Sequence, residues 1–242
     1  MPRRLALFLL CLLPLTAAAA ERYRLDPVHT RVLFAIEHAG FSQALGVVSG
    51  SEGVLEFDPD DWAGARLDVT VPLARLDLGD DTWNRATLAR NLLDAQRFPQ
   101  ARFTSTRIEP LEAGRARVHG QLSLRGVTRE VTLEVTLNAL KRHPLPPFRR
   151  TAGFSATATL SRAEFGITAW PSVIGDRVEL RIEAEAVRDG NARMPTHDEG
   201  AAGTPAGIAS AADADLQQAA QAAADAAAEA APPPSPEQEP RP

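Results

Sequence analysis

Few side chains in this sequence are placed to do chemistry. The five histidines stand at positions 29, 38, 119, 143 and 197. No pair has the helical spacing that presents two imidazoles to one metal ion, and no His, Asp and Ser follow one another in a hydrolase order. Two strand histidines can still meet across a sheet, so spacing alone leaves a metal site open; the reading adopted is that the chain holds no metal and no cofactor. The only cysteine is Cys11, inside the N-terminal apolar run. If that run is removed, disulfides, thiolate nucleophiles, cysteine zinc sites and iron–sulfur centres are excluded with it. Asp26 and Asp176 lie close to expected strand ends, but nothing in their spacing makes them an acid/base couple. No catalytic residue is expected, and the chain is read as a non-enzyme.

Three polar features remain for recognition. His38 shares the parity of Phe34 and Ile36 and closes the first long apolar alternation. Its ordinary role would be a structural hydrogen bond; its sharper one is polar recognition at the mouth of a cavity. Arg162, in Arg162-Ala163-Glu164-Phe165-Gly166, either holds a turn or reaches an anionic ligand group. Lys141-Arg142-His143 and Arg149-Arg150 bracket Pro144-Leu145-Pro146-Pro147-Phe148 and include the sole lysine. A solvated loop is the plain reading of that cluster, and a positive rim for a lipid with a phosphate or other polar head is the functional one. The sequence has no aromatic-rich basic surface of the kind that binds nucleic acid, and no such partner is expected.

The elements that must carry these residues are strands. Val32, Phe34 and Ile36 share one side of a period-two run, as do Val131, Leu133, Val135 and Leu137. The same holds for Leu67, Val69, Val71 and Leu73, for Phe154, Ala156, Ala158 and Leu160, and for Val178, Leu180, Ile182 and Ala184. Polar residues fill most alternate positions. One-sided burial of this kind suits an antiparallel sheet. Strands over 44–57, 100–108 and 115–124 complete the series, with turns at Asp58-Pro59-Asp60-Asp61 and Glu112-Ala113-Gly114. One short helix, capped by Asp81 or Thr82 and running through Asp94, is expected to close one end. Roughly eight strands leave a sandwich or an up-and-down barrel. Small residues at Ala35, Ala44, Ala156, Ala158, Ala184 and Ala186 suit an incompletely filled barrel, yet they also permit close packing of two sheets.

Charge and hydropathy divide the 242 residues into three parts. Residues 1–20 have the form of a secretory signal: Arg3 and Arg4, an apolar run from Leu5 to Leu15, then Ala17-Ala18-Ala19-Ala20. That run is too short for a confident membrane span, and no later stretch is apolar enough to be one. A periplasmic or secreted protein, not an integral membrane one, is therefore expected. Acidic and basic residues balance from 21 to 194, whereas 195–242 carries a net charge of −7, so the whole-chain value of −5 belongs to the tail. The neutral body exerts no global pull on nucleic acid or anionic membrane. Residues 189–242 read as a low-complexity, Ala/Pro-rich acidic extension without the large apolar residues needed to bury a face.

Five segments together resemble the YceI-like family of periplasmic polyisoprenoid-binding proteins. They are Tyr23-Arg24-Leu25-Asp26-Pro27-Val28-His29-Thr30; Phe34, His38 and Gly40; Phe98-Pro99-Gln100-Ala101-Arg102-Phe103-Thr104-Ser105; Gly120-Gln121-Leu122-Ser123-Leu124-Arg125-Gly126-Val127-Thr128; and Arg162-Ala163-Glu164-Phe165-Gly166. They occur in the family's order and span 21–188. The departure is Trp83-Asn84-Arg85-Ala86-Thr87-Leu88-Ala89-Arg90-Asn91, where many relatives have R-D-x-H-L-R-S. The resemblance implies an all-β fold, an eight-stranded antiparallel lipocalin-like barrel with a short capping helix, often dimeric. It implies a binding or carrier protein for a polyisoprenoid or isoprenoid-quinone-like lipid held inside the barrel. On parity, Phe34, Ile36, Val69, Val135, Phe154 and Leu180 are its lining candidates, with His38 and Arg162 for polar contacts. An enzyme acting on an isoprenoid lipid and a fully packed interaction barrel are the competing readings. Because the tail lacks a core of its own, a chain ending at residue 194 is expected to melt at the same temperature as the full chain. A large drop in its midpoint would show that the barrel leans on the tail.

Overall fold

In the computed structural model the described residues are 20–112 and 114–195. The apolar N-terminal run, the expected signal cleavage region before Ala20 and the tail from residue 196 lie outside them. The chain separates into Met1–His197 and Asp198–Pro242, and everything described below belongs to the first unit.

The alternating segments form eleven strand pieces: β1 (Glu21–Leu25), β2 (Arg31–His38), β3 (Ser42–Ser49), β4 (Glu52–Asp58), β5 (Asp61–Pro72), β6 (Leu76–Asp77), β7 (Gln100–Pro110), β8 (Arg115–Leu124), β9 (Val127–Arg142), β10 (Arg150–Ser161) and β11 (Ile174–Arg188). They form one sheet in the order β1-β4-β5-β7-β8-β9-β10-β11-β2-β3-β6. The last strand also pairs with the first, Tyr23 opposite Arg188 and Leu25 opposite Ala186, antiparallel like its neighbours. That pairing closes a ring of eight and settles the choice between sandwich and barrel. The architecture is an antiparallel β-barrel with, among the described residues, a single α-helix. Closure removes the exposed edges that an open sheet would carry.

The first hairpin differs from the sequence expectation. The predicted strand over 44–57 is two strands, β3 and β4, broken at Gly50-Ser51, and its partner is broken opposite, between β1 and β2. β11 therefore pairs with β1 near its end and with β2 along Val178–Glu183. The break is a built turn. Asp26 N–H donates to the Glu185 carbonyl at 2.8 Å and Thr30 N–H to the Asp26 carbonyl at 2.9 Å. The Asp26 carboxylate accepts from the N–H groups of Val28 and His29 and pairs with His29 Nδ1 at 2.8 Å. Gly50, at φ +75°, supplies the left-handed residue opposite. The inward parity changes at both breaks, from Tyr23 and Leu25 to Val32 and Phe34 on one side and from Gly46 and Val48 to Leu55 and Phe57 on the other.

Two glycines in mid-strand have a packing reason. The Phe34 ring lies on Gly46, its partner across β2–β3, and the Phe103 ring lies on Gly120 of β8. A Cβ at either glycine would run into the ring. Both rings thus lie along the wall.

Helix α1 (Asp81–Leu88) is shorter than the run expected through Asp94, and its cap is Asp80. The Asp80 carboxylate accepts from Thr82 N–H at 2.9 Å and Trp83 N–H at 3.0 Å. These are the second and third helical positions, within reach of a cap side chain one residue earlier than either expected cap. Leu92 is buried, and it reaches the core from the turns after the helix.

The Asp26–His29 pair gives the first hairpin a pH signature. Its hydrogen bond to Asp26 raises the His29 pKa. Burial pushes Asp26 up, but the bonds from His29 and Val28 outweigh it and hold the carboxyl below its ordinary value. The His29 contribution is present in full below its unfolded value and fades as pH rises through the raised one. The Asp26 contribution is present above its unfolded value and fades as pH falls through the lowered one. The difference in thermal midpoint between the wild type and His29→Gln is therefore expected to be greatest near pH 5, between the ordinary values of about 3.9 and about 6.5, and to shrink above neutrality. A difference that grew with pH would contradict this pairing.

Candidate ligand-binding interior

Every second residue of a barrel strand points inward, and the register places the apolar sets on that face. Across β10 and β11, Ala158 stands opposite Leu180, Ala156 opposite Ile182 and Phe154 opposite Ala184. Small and large side chains face one another across the two strands.

The inward face divides in two along the barrel. Toward the start of β1 it is packed: Tyr23, Phe57, Ala116, Ala152 and Ala186 are essentially inaccessible, and Leu25, Leu133 and Val118 are buried with them. There Phe57 meets Trp62 and Phe154 edge-on, at 5.1 and 5.7 Å between ring centroids, a favoured aromatic geometry. Toward the β2–β3 turn, Val32, Phe34, Ile36, Val178 and Leu180 are inward and apolar, yet only half-buried. They stand outside the packed cluster. This half of the wall is an apolar surface with room in front of it.

The end of that half is covered by α1, the turns after it and the β10–β11 crossing, which drops Phe165 and Ile167 into the core. The crossing is organised by Arg162, only 6 % exposed. Its Nε donates to the Gly175 carbonyl at 2.8 Å, one terminal nitrogen to Ile167 at 2.8 Å and the other to Ile174 at 2.7 Å. Burial pushes the Arg162 guanidinium below its ordinary value while Asp176 opposes the shift. A guanidinium nevertheless stays charged in a protein. Asp176 is held below the usual carboxylate range by the Ser161 hydroxyl and the Ala163 N–H. Arg125 ties the β8–β9 hairpin to the same cover by donating to the carbonyls of Gly166 at 2.8 Å and Arg90 at 3.0 Å.

The sequence-chosen residues fall into three groups. Phe34, Ile36 and Leu180 come together on the unfilled wall, Phe34 directly opposite Leu180. Val69, Val135 and Phe154 also face inward but pack against the core cluster. Of the polar pair, His38 sits at the end of β2 with its ring 5.3 Å from that of Trp83 on α1, at the covered end. Arg162 departs from the ligand-contact role offered for it. Each nitrogen of its guanidinium is engaged by a main-chain carbonyl, and its work is to hold the crossing. Val32 and Val178 extend the unfilled wall, and their parity was the signal for them. Trp83 lay in the segment where the family pattern fails, and no periodicity marks it.

Among the described residues, Asp26, His29 and Glu185 form the group whose potential ligand atoms lie within 4.8 Å of one another. Both Asp26 oxygens are already committed to the turn, to the Val28 and His29 N–H groups and the His29 ring. This cluster is accounted for as the lock of the β1–β2 break.

The YceI-like domain family model matches residues 23–186. Protein YceI of Salmonella arizonae is 31 % identical over 174 residues, covering 71 % of this chain and 90 % of that one. A UPF0312 protein of Yersinia enterocolitica is also 31 % identical over 174 residues, with 71 % and 89 % covered. Among solved structures, BcnA of Burkholderia cenocepacia superposes with a TM-score of 0.60 at 23 % identity, covering 66 % of this chain and 98 % of that one. A polyisoprenoid binding domain from Saccharophagus degradans gives 0.55 at 14 % identity, with 71 % and 100 % covered. At these identities the two structures speak for the fold.

Replacing Arg162 by Met should strand three main-chain carbonyls and cost about 3 kcal/mol or more, read as a lower urea midpoint at unchanged slope. Arg162→Lys, with one nitrogen for three acceptors, should recover only part of the loss. A Met variant as stable as the wild type would refute the locking role.

Proposed function

This chain belongs to the YceI-like family, and we propose that it is a periplasmic binding or carrier protein whose barrel interior takes up a polyisoprenoid or isoprenoid-quinone-like lipid. One observation carries the reading: the inward, apolar, half-buried wall of Val32, Phe34, Ile36, Val178 and Leu180, which stands outside the packed core. A long prenyl tail is apolar along its length and branched at intervals, and it matches a wall of aliphatic side chains relieved by alanines. Each square ångström of such a tail taken from water contributes about 25 cal/mol. Several isoprene units therefore offset the cost of immobilising the chain without a polar contact. Binding of this kind makes and breaks no bond. The Saccharophagus degradans neighbour, described as a polyisoprenoid binding domain, lends support from the same fold.

The test is native mass spectrometry of the protein purified from its own periplasm. A co-purifying prenyl lipid is expected. Ala158 faces inward opposite Leu180, and Ala158→Phe, by filling space in front of the wall, should weaken lipid binding about tenfold or more with little change in thermal midpoint. Protein that is consistently empty and also ignores added prenyl lipid would overturn the proposal.

A further inference from the structure

The opposite end of the barrel carries a different surface. β1 begins there, β9 ends, β10 begins and β11 ends. Continuing the inward parity of Tyr23, Leu140, Ala152 and Ala186 by one step along each strand gives Glu21, Arg142, Arg150 and Arg188. These four line a pocket of about 410 Å³ together with Pro147, Phe148 and Arg149. Four arginines thus surround a cavity with one acid.

The charges in this pocket are not balanced. Glu21 is bonded to Arg150 at 3.1 Å and to Arg188 at 3.1 Å, which exhausts it. Arg142 and Arg149 have no ion-pair partner among the described residues, and Asp189, whose carboxyl Arg149 helps to hold low, is already bonded to Arg24. Arg142 also stands directly opposite Arg150 in the β9–β10 register. Like charges in facing positions of a sheet repel, and nothing in the fold of the hairpin needs both. The connecting loop adds a second irregularity: Phe148, a bulky residue, sits at φ +57° with half its surface exposed. Left-handed backbone at such a residue is strained, and strain of this kind gathers at ligand clamps. The loop that carries it is tied back by His143 N–H to the Arg149 carbonyl at 2.8 Å.

The pocket is walled off from the interior. Tyr23, the next inward residue of β1 after Glu21, is fully buried. Its hydroxyl donates to Glu21 at 2.6 Å and accepts from Arg150 Nε at 3.3 Å. Burial first, then the bond to Glu21, raises the Tyr23 pKa, and the phenol stays neutral as a donor. Glu21, Tyr23 and Arg150 form a polar layer under the pocket that fixes two of the four arginines, while Arg142 and Arg149 remain available.

We propose that this pocket is a binding site for a phosphate-bearing anion, an organic phosphate or diphosphate, held by Arg142 and Arg149 against the fixed pair Arg150 and Arg188. A planar guanidinium meets phosphate oxygens in parallel hydrogen bonds, and two unpaired ones lining the same pocket suit more than one such oxygen pair. The volume exceeds a bare phosphate and leaves space for a substituent along Pro147 and the Phe148 ring. The site is separate from the lipid-binding interior, and either can fail without the other.

Calorimetric titration of the full-length protein with inorganic diphosphate at low salt is expected to give saturable binding. The double variant Arg142→Gln/Arg149→Gln should weaken it about tenfold or more, with prenyl-lipid binding unchanged. Glu21→Gln removes the one acid while keeping an acceptor for Tyr23, and it should tighten binding severalfold. Sedimentation with phosphatidylglycerol vesicles, displaced by diphosphate, would identify a lipid headgroup as the source of the anion; diphosphate binding without sedimentation would identify a soluble phosphate. Absence of saturable diphosphate binding in the wild type, or equal affinity in the double variant, would overturn the proposal.

Discussion

The pairing of β1 with β11 is the constraint on which the rest of the molecule depends. Without it the chain would be an open sheet with an apolar face and nothing to cover it. With it, the same alternation becomes an inside and an outside, and the backbone groups of the first and last strands satisfy each other. Parity then assigns every inward residue its place, from the packed aromatics around Phe57 to the unfilled wall at Phe34 and Leu180.

Closure also has to accommodate a twist. β11 serves two partners in succession, and the break at Asp26–Thr30 lets the neighbouring strand change course while β11 runs on. Asp26 and His29 hold the turn on one side, and Gly50 gives the facing strand its bend. Arg162 performs the matching task at the far end, converting the twelve-residue crossing between Ser161 and Ile174 into a cover by gathering the Ile167 carbonyl within it and those of Ile174 and Gly175 at the start of β11.

Much of this was legible in the amino-acid order, because period-two alternation reports which face is buried whatever the neighbouring strands are. Phe34, Ile36 and Leu180 were found this way, and so was the β8–β9 bend at Arg125-Gly126, where both residues have positive φ. Alternation says nothing about depth along the barrel. It could not distinguish Phe154, wedged against Phe57, from Phe34 on the open wall. The single strand expected over 44–57 also passed over Gly50-Ser51, where the inward parity shifts from Gly46 and Val48 to Leu55 and Phe57. For Arg162 the amino-acid order left two roles open, a turn or a ligand, and only three-dimensional placement reveals that nearby carbonyls engage each of its nitrogens.

The rings that lie on glycines carry a consequence for how such a chain can change over generations. Phe34 occupies the space a side chain at Gly46 would need, and Phe103 does the same to Gly120. Neither member of a pair is free to drift alone. A larger residue at Gly46 is barred until Phe34 has shrunk, whereas a smaller residue at Phe34 first opens a void that a later change at Gly46 can fill. The permitted route is one-way, so the inner contour at each of these two places is inherited as a pair.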